Sequence, residues 1–115
     1  MSEKKPTNRE RLHALLDLLG YLYMISGKPE RAREYLRLLV SLRPGESRLL
    51  RSLAHSELES GNAGIARELL ETTRTMQMNK KDRAATFLLL SRVFTRLQRL
   101  DDSASAIAQF LNFKA

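Results

Sequence analysis

The feature that most constrains this chain is a recurrence. Leu16, Leu19, Gly20, Gly27, Ala32 and Leu36 return 34 positions later as Leu50, Leu53, Ala54, Gly61, Ala66 and Leu70, and only Tyr23, which falls on Glu57, is not matched in kind. A fainter third copy (Phe87, Leu90, Ser91, Phe94, Ser103, Ile107) follows after three extra residues around Met76 to Lys80. A fixed period of this length means one supersecondary unit used several times, each copy burying its apolar face against the next.

Within each copy the positions have distinct physical tasks. Gly20, Ala54 and Ser91 are small on a first helix, and Ala32, Ala66 and Ser103 are small on a second, so two antiparallel helices can approach closely. Gly27 and Gly61 fall where the first helix must end and can take the left-handed backbone that ends helices, while Gln98 stands where a third such glycine is expected. Pro29 suits a first helical position, and Pro44-Gly45 cannot continue a helix. Asn62 and Asp101 read as N-caps, and Asn79 with Asp82 as a capping box. Leu19-Gly20, Tyr23, Ala32, Leu36 and Pro44 together fit the tetratricopeptide pattern. The expected fold is therefore all-α: six helices near 9–26, 29–42, 46–60, 63–76, 80–98 and 101–113, paired into three tetratricopeptide-like hairpins in a short right-handed solenoid. Residues 1–8 are expected to form a flexible N-terminal tail and 9–115 the repeat domain.

Composition narrows the function. The hydrophobic share, 43 %, against 29 % charged residues suffices for a core and excludes a disordered chain. No run approaches the roughly 20 apolar residues that span a bilayer, and the polar start lacks a signal-peptide core, so a cytoplasmic location without membrane insertion is expected. There is no cysteine, hence no disulfide or thiolate chemistry. His13 and His55 lie far apart on different helices without paired carboxylates at ligand spacing, so neither metal nor cofactor is expected. With no phosphate loop, nucleophile elbow or nucleophile–base pair, the chain does not read as an enzyme.

Twenty basic against thirteen acidic residues give a net charge of +7, which favours an acidic partner. Nucleic acid is the rival partner on charge alone. Against it, Arg31, Arg33, Arg37, Arg67 and Arg74 are interleaved with Glu30, Glu34, Glu68 and Glu71, as in intrahelical pairing on a solvated wall, and aromatics for base stacking make up only 6 %.

Stacked hairpins line a concave side with their first helices. The residues expected there are Leu18, Tyr21, Met24 and Ile25 from the first pair, Arg48, Arg51, Ser52 and His55 from the second, and Leu88, Leu89, Arg92 and Arg96 from the third. Apolar patches alternating with guanidinium groups suit an amphipathic helix or extended segment bearing Asp or Glu. The apolar end around Ile107, Phe110, Leu111 and Phe113 is expected either to fold back on the preceding helices or to be buried by a partner.

From Leu15 to Lys114 the chain resembles the small tetratricopeptide chaperones of bacterial type III secretion systems, most closely the Y-type export chaperones. The likeness rests on Leu15-Leu16, Leu19-Gly20-Tyr21-Leu22, Ser26-Gly27-Lys28-Pro29-Glu30-Arg31-Ala32 and Leu42-Arg43-Pro44. It continues in Leu88-Leu89-Leu90-Ser91-Arg92 and Phe110-Leu111-Asn112-Phe113-Lys114. The resemblance implies a cytoplasmic chaperone that binds a small secreted protein of the type III apparatus, the X-type early substrate, as a heterodimer or heterotrimer, keeps it from aggregating and escorts it to the export gate. A needle-subunit or translocator chaperone of the same system and a general repeat adaptor are the neighbouring readings.

Overall fold

Short side chains and backbone stops set the helix limits. In a computed structural model describing residues 4–114, the helices are α1 Asn8–Ile25, α2 Pro29–Leu42, α3 Ser47–Glu59, α4 Ala63–Arg74, α5 Lys80–Arg96 and α6 Leu100–Lys114, with no strand among the described residues. Met1 to Glu3, part of the expected tail, lie outside the described residues. The helix begins one residue inside that tail, because Thr7 and Glu10 form a capping box: the Thr7 hydroxyl accepts from the Glu10 N–H at 3.1 Å, and the Glu10 carboxylate accepts from the Thr7 N–H at 3.2 Å. Asn79 caps α5 by accepting from the Asp82 N–H at 2.7 Å, without the reciprocal side-chain bond that would complete the expected capping box. Two expected caps differ. The Asn62 side chain makes no cap bond and turns to Glu57 instead, and α6 starts at Leu100, ahead of Asp101.

The three hairpins turn in the same way. Gly27, Gly61 and Gln98 all have positive φ (73°, 88° and 59°), and after each the next N–H reaches back over the helix end. Lys28 donates to the Tyr23 carbonyl, Asn62 to Glu57 and Arg99 to Phe94, each at 2.8 Å. This is the Schellman closure, which satisfies the last orphan carbonyls. Gln98 accepts the geometry without glycine's freedom, at a strain cost of about 1 kcal/mol.

Packing follows chain order: α1 on α2, α2 on α3, α3 on α4, α4 on α5 and α5 on α6, giving a body 52 Å long and 21 Å thin. The chain is thus an all-α solenoid of helical hairpins. Gly20 lets α1 meet α2, since an added Cβ would lie 2.7 Å from buried Leu36 Cδ2. In the third hairpin serines take the small positions: buried Ser103 donates to the Ser91 carbonyl at 2.9 Å and lies 2.8 Å from the Thr95 hydroxyl. The core has two parts, one of Leu16, Leu39 and Leu49 and a larger one around Leu58, Leu70, Leu90, Val93 and Phe94. Ile107, expected at a core position, is exposed, and Ala106 is buried instead. His13 is buried, so it belongs to the packing face of α1.

The arginines of the second helices do not form the expected wall. Arg33 and Arg37 of α2 reach Glu57 of α3, at 3.5 and 2.8 Å, and Asn62 adds a bond at 3.3 Å. Glu57 is fully buried. Between α4 and α5 the equivalent contacts are cation–π: Arg67 lies 5.5 Å from the Phe94 ring centroid and Arg74 5.3 Å from that of Phe87. Only Arg74 makes the expected type of intrahelical pair, with Glu71 at 3.3 Å. A partner across the helix junction outcompetes one on the same helix because it is desolvated as the junction closes.

Two stability predictions follow from these contacts. Gln98→Gly should raise stability by about 0.5–1 kcal/mol by relieving the left-handed strain, read as a higher urea midpoint at unchanged slope. Replacing both Arg33 and Arg37 by Ala should destabilise more than Glu57→Ala. The first strands a carboxylate in the core, a situation that costs about 3–5 kcal/mol, whereas the second leaves the half-exposed Arg37 free to reach water and only the Arg33 Nε buried without a partner. The reverse ranking in chemical denaturation would show that Glu57 is not the desolvated partner.

Candidate partner-binding groove

The first helices α1, α3 and α5 carry every residue expected in the groove, and the structure sorts those residues into three groups. The first is a pocket of about 240 Å³ between α1 and α3, floored by Gly20 and Leu36 and walled by Tyr21, Met24, Ile25, Arg48, Ser52 and His55. Leu18 lies on its shoulder, in a shallow hollow shared with Ala14, Asp17, Tyr21 and Arg48. Tyr21, Ile25 and Leu18 are all more than half exposed. These are large apolar groups on a face that no helix of the described residues covers.

The second group is a line of ion pairs joining neighbouring first helices. Arg48 of α3 donates to Asp17 of α1 at 2.7 Å, Arg51 of α3 lies 3.3 Å from Asp82 of α5, and Arg92 of α5 donates to Glu59 of α3 at 2.5 Å. The Asp17 hydrogen bond, against partial burial, holds the Arg48 guanidinium above its ordinary value, whereas burial lowers that of Arg51 despite Asp82. The groove arginines are therefore already paired, and an incoming carboxylate must exchange with Asp17, Asp82 or Glu59. Arg96 is exposed in the last turn of α5, where a cation complements the helix dipole, and has no ion pair among the described residues.

The third group is apart. Leu88 lines a hollow of about 490 Å³ between α5 and α6 with Lys80, Lys81, Phe110, Phe113 and Lys114. Leu89 does not face the groove freely: it is half-buried and packs on the larger core. Phe113 stacks on Phe87 at 5.7 Å, so the apolar end is partly folded back, while Ile107 and Leu111 remain exposed. A further hollow between α4 and α6 holds Arg67, Arg74 and Arg99, all engaged with rings or carboxylates.

Sequence reading missed the acidic halves of the groove. Asp17, Glu59 and Asp82 stand 31 to 33 positions from their arginines, close to one repeat length. Opposite charges one repeat apart on successive first helices are the signal that would have found them. Glu57 is 20 positions from Arg37, and no periodicity announces that pair.

These features define a helical-repeat protein with an open apolar pocket on its inner helices. No family model matches the chain, and no curated protein matches it in sequence. Among the described residues there is no cluster of three or more His, Asp or Glu able to hold a metal ion, and no helix is long and apolar enough to cross a membrane.

His55 supplies a pH test. Burial first, and Arg92 second, hold its imidazole below the ordinary value of 6.5, with Glu59 pulling the other way. The unfolded chain then takes up a proton more readily than the folded one. This contribution to stability is complete above about pH 6.5 and is lost as pH falls through the lowered folded value. Wild type should lose more stability than His55→Gln between about pH 7.5 and pH 5.5, in urea titrations at each pH. Parallel losses would remove His55 from the balance.

Proposed function

We propose that this chain is a small tetratricopeptide-type chaperone of a type III secretion system, of the Y class, which binds a small secreted protein of the export apparatus. The carrying observation is the uncovered apolar pocket of Tyr21, Met24, Ile25 and Leu36 beside the α1–α3 ion pair. Such a surface on inner helices suits an amphipathic segment of another chain, with Leu- or Ile-sized groups entering the pocket and carboxylates exchanging onto Arg48, Arg51 or Arg92. The resemblance from Leu15 to Lys114 supports the finer reading: an X-type early substrate held in the cytoplasm as a heterodimer or heterotrimer, kept from aggregating and brought to the export gate. The work is capture rather than catalysis.

A needle-subunit chaperone, a translocator chaperone and a general adaptor would use the same pocket for a different ligand. Nucleic-acid binding is disfavoured by the arginines: Arg33, Arg37, Arg43, Arg48, Arg51, Arg74, Arg92 and Arg99 all sit in ion pairs, so each would have to leave a carboxylate before meeting a phosphate.

The test is co-expression with a candidate X-type protein and co-purification. Tyr21→Glu combined with Met24→Glu should weaken capture by at least about 100-fold, since each buried side chain contributes about 1.5–3 kcal/mol, with helix content unchanged by far-UV circular dichroism. Undiminished capture would move the binding site off this pocket. Salt-sensitive retention of RNA without a protein ligand would favour the nucleic-acid reading instead.

A further inference from the structure

The repeat allows burial to be compared position by position. Leu15, Leu49 and Thr86 are equivalent, as are Leu22, Ser56 and Val93. Leu49, Thr86, Ser56 and Val93 are all 0 % exposed, whereas Leu15 is 51 % and Leu22 42 % exposed. The helix laid over α3 is α2, and the one laid over α5 is α4. No helix of the described residues occupies the same place on α1. Arg11, Leu15 and Leu22 lie along that face at helical spacing, with Leu12 on one side and Leu18 at its border with the groove, and all five are exposed. This outer face is distinct from the pocket, which opens toward α3.

The two internal junctions also give the direction of what fits. Arg33 in the second turn of α2 and Arg37 near its middle meet Glu57 late in α3, while Leu39 in the last turn of α2 packs with Leu49 near the α3 start. Arg67 lies on Phe94 and Arg74 on Phe87 in the same reversed order. A covering helix therefore runs antiparallel to the helix it covers, and on α1 its last turns would lie beside Arg11. Arg9, Lys4 and Lys5 are exposed at the same end. Carboxylates in those last turns, together with the negative end of the helix dipole, complement this cluster.

We infer that the outer face of α1 is a docking site for an amphipathic helix of an acidic partner, lying antiparallel to α1 with its acidic residues at its C-terminal end. A second copy of this chain fits less well. Its exposed stripe is Leu100, Ile107 and Leu111 on α6, and the antiparallel course would bring Lys114 against Arg11 between two bodies of net charge +7 each. The inference stands on the repeat and not on the groove.

The probes are two synthetic 18-residue amphipathic helices with the same Leu stripe, one with Glu and one with Lys in the last two turns, titrated against the full chain by fluorescence anisotropy. The Glu peptide should bind at least tenfold tighter than the Lys peptide. Leu15→Glu with Leu22→Glu should lower that affinity at least tenfold. Leu15→Gln with Leu22→Gln should also weaken it, which separates loss of apolar contact from added charge. Met24→Glu, in the pocket and away from Leu18, should change it less than twofold. Far-UV circular dichroism checks that each variant folds. Equal binding of the two peptides, or binding that survives the Leu15 and Leu22 changes, would overturn the inference. Loss in Met24→Glu would do the same by placing the peptide in the groove, leaving the chaperone reading intact. Concentration-dependent self-assembly abolished by Ile107→Glu would assign the face to a second copy.

Discussion

The buried carboxylate of Glu57, clasped by Arg33 and Arg37 of the preceding helix and by Asn62 of the following turn, is the contact on which the stacking of the first two hairpins rests. Its backbone carbonyl also accepts the closing bond of the α3 turn, so one residue ties a helix end and a junction between hairpins together. A carboxylate without water is tolerated only where its partners are fixed in good geometry, and here they come from two sides, α2 and the α3–α4 turn. The equivalent position in the first hairpin is Tyr23, stacked on Tyr35 at 5.5 Å with Arg31 over its ring at 5.9 Å. In the third it is Phe94, between Arg67 and Arg99, each at 5.5 Å. An arginine covers the position in all three hairpins. A guanidinium can pair with a carboxylate or lie flat on a ring, which lets the repeat exchange Tyr, Glu and Phe there without changing the architecture.

This use of arginine alters what the net charge means. A chain of pI near 10.2 invites the thought of a polyanion, yet much of its basic side-chain surface is committed to helix junctions and to the struts between first helices. The pairs Arg48–Asp17, Arg51–Asp82 and Arg92–Glu59 hold the inner helices at fixed spacing. They also tune the groove: a ligand gains little from a carboxylate that merely replaces an internal one, so selection falls to the apolar pocket. Apolar fit and charge exchange are then separable properties of one surface.

The architecture was legible because it is written in local signals. Gly27 and Gly61 mark the turns, Pro29 starts α2, and the small residues at Gly20, Ala32, Ala54 and Ala66 mark the close approaches. The third turn was also readable in position, although Gln98 has to adopt a backbone that glycine would take without strain. The start of α1 was misplaced by a residue because Thr7 and Glu10 sit in a stretch that looks uniformly polar, where a capping box differs from a tail only in spacing. Arg33 and Arg37 were assigned to Glu30 and Glu34 on the same helix because a window along the chain sees neighbours, and the true partner becomes adjacent only after two turns have folded. Leu89 was placed in the groove by counting faces, but it packs against the core. On a helix whose leucines run Leu88-Leu89-Leu90, periodicity alone does not tell the inward from the outward side.

Ordinary surface helices have one apolar stripe. On α1 the apolar residues run almost all round: Leu16 and Gly20 against α2, Tyr21, Met24 and Ile25 toward the α3 pocket, and Leu12, Leu15 and Leu22 on the outer side. An amphipathic helix packed on one side would show polar residues on the other, and α2 and α4 do so. The difference is not explained by the folded monomer, since the exposed leucines contribute nothing to its core. It is explained if α1 is a helix meant to be enclosed from three sides, only one of which this chain covers with its own described residues. That asymmetry, rather than the net charge or the hollows elsewhere, is what points to another polypeptide.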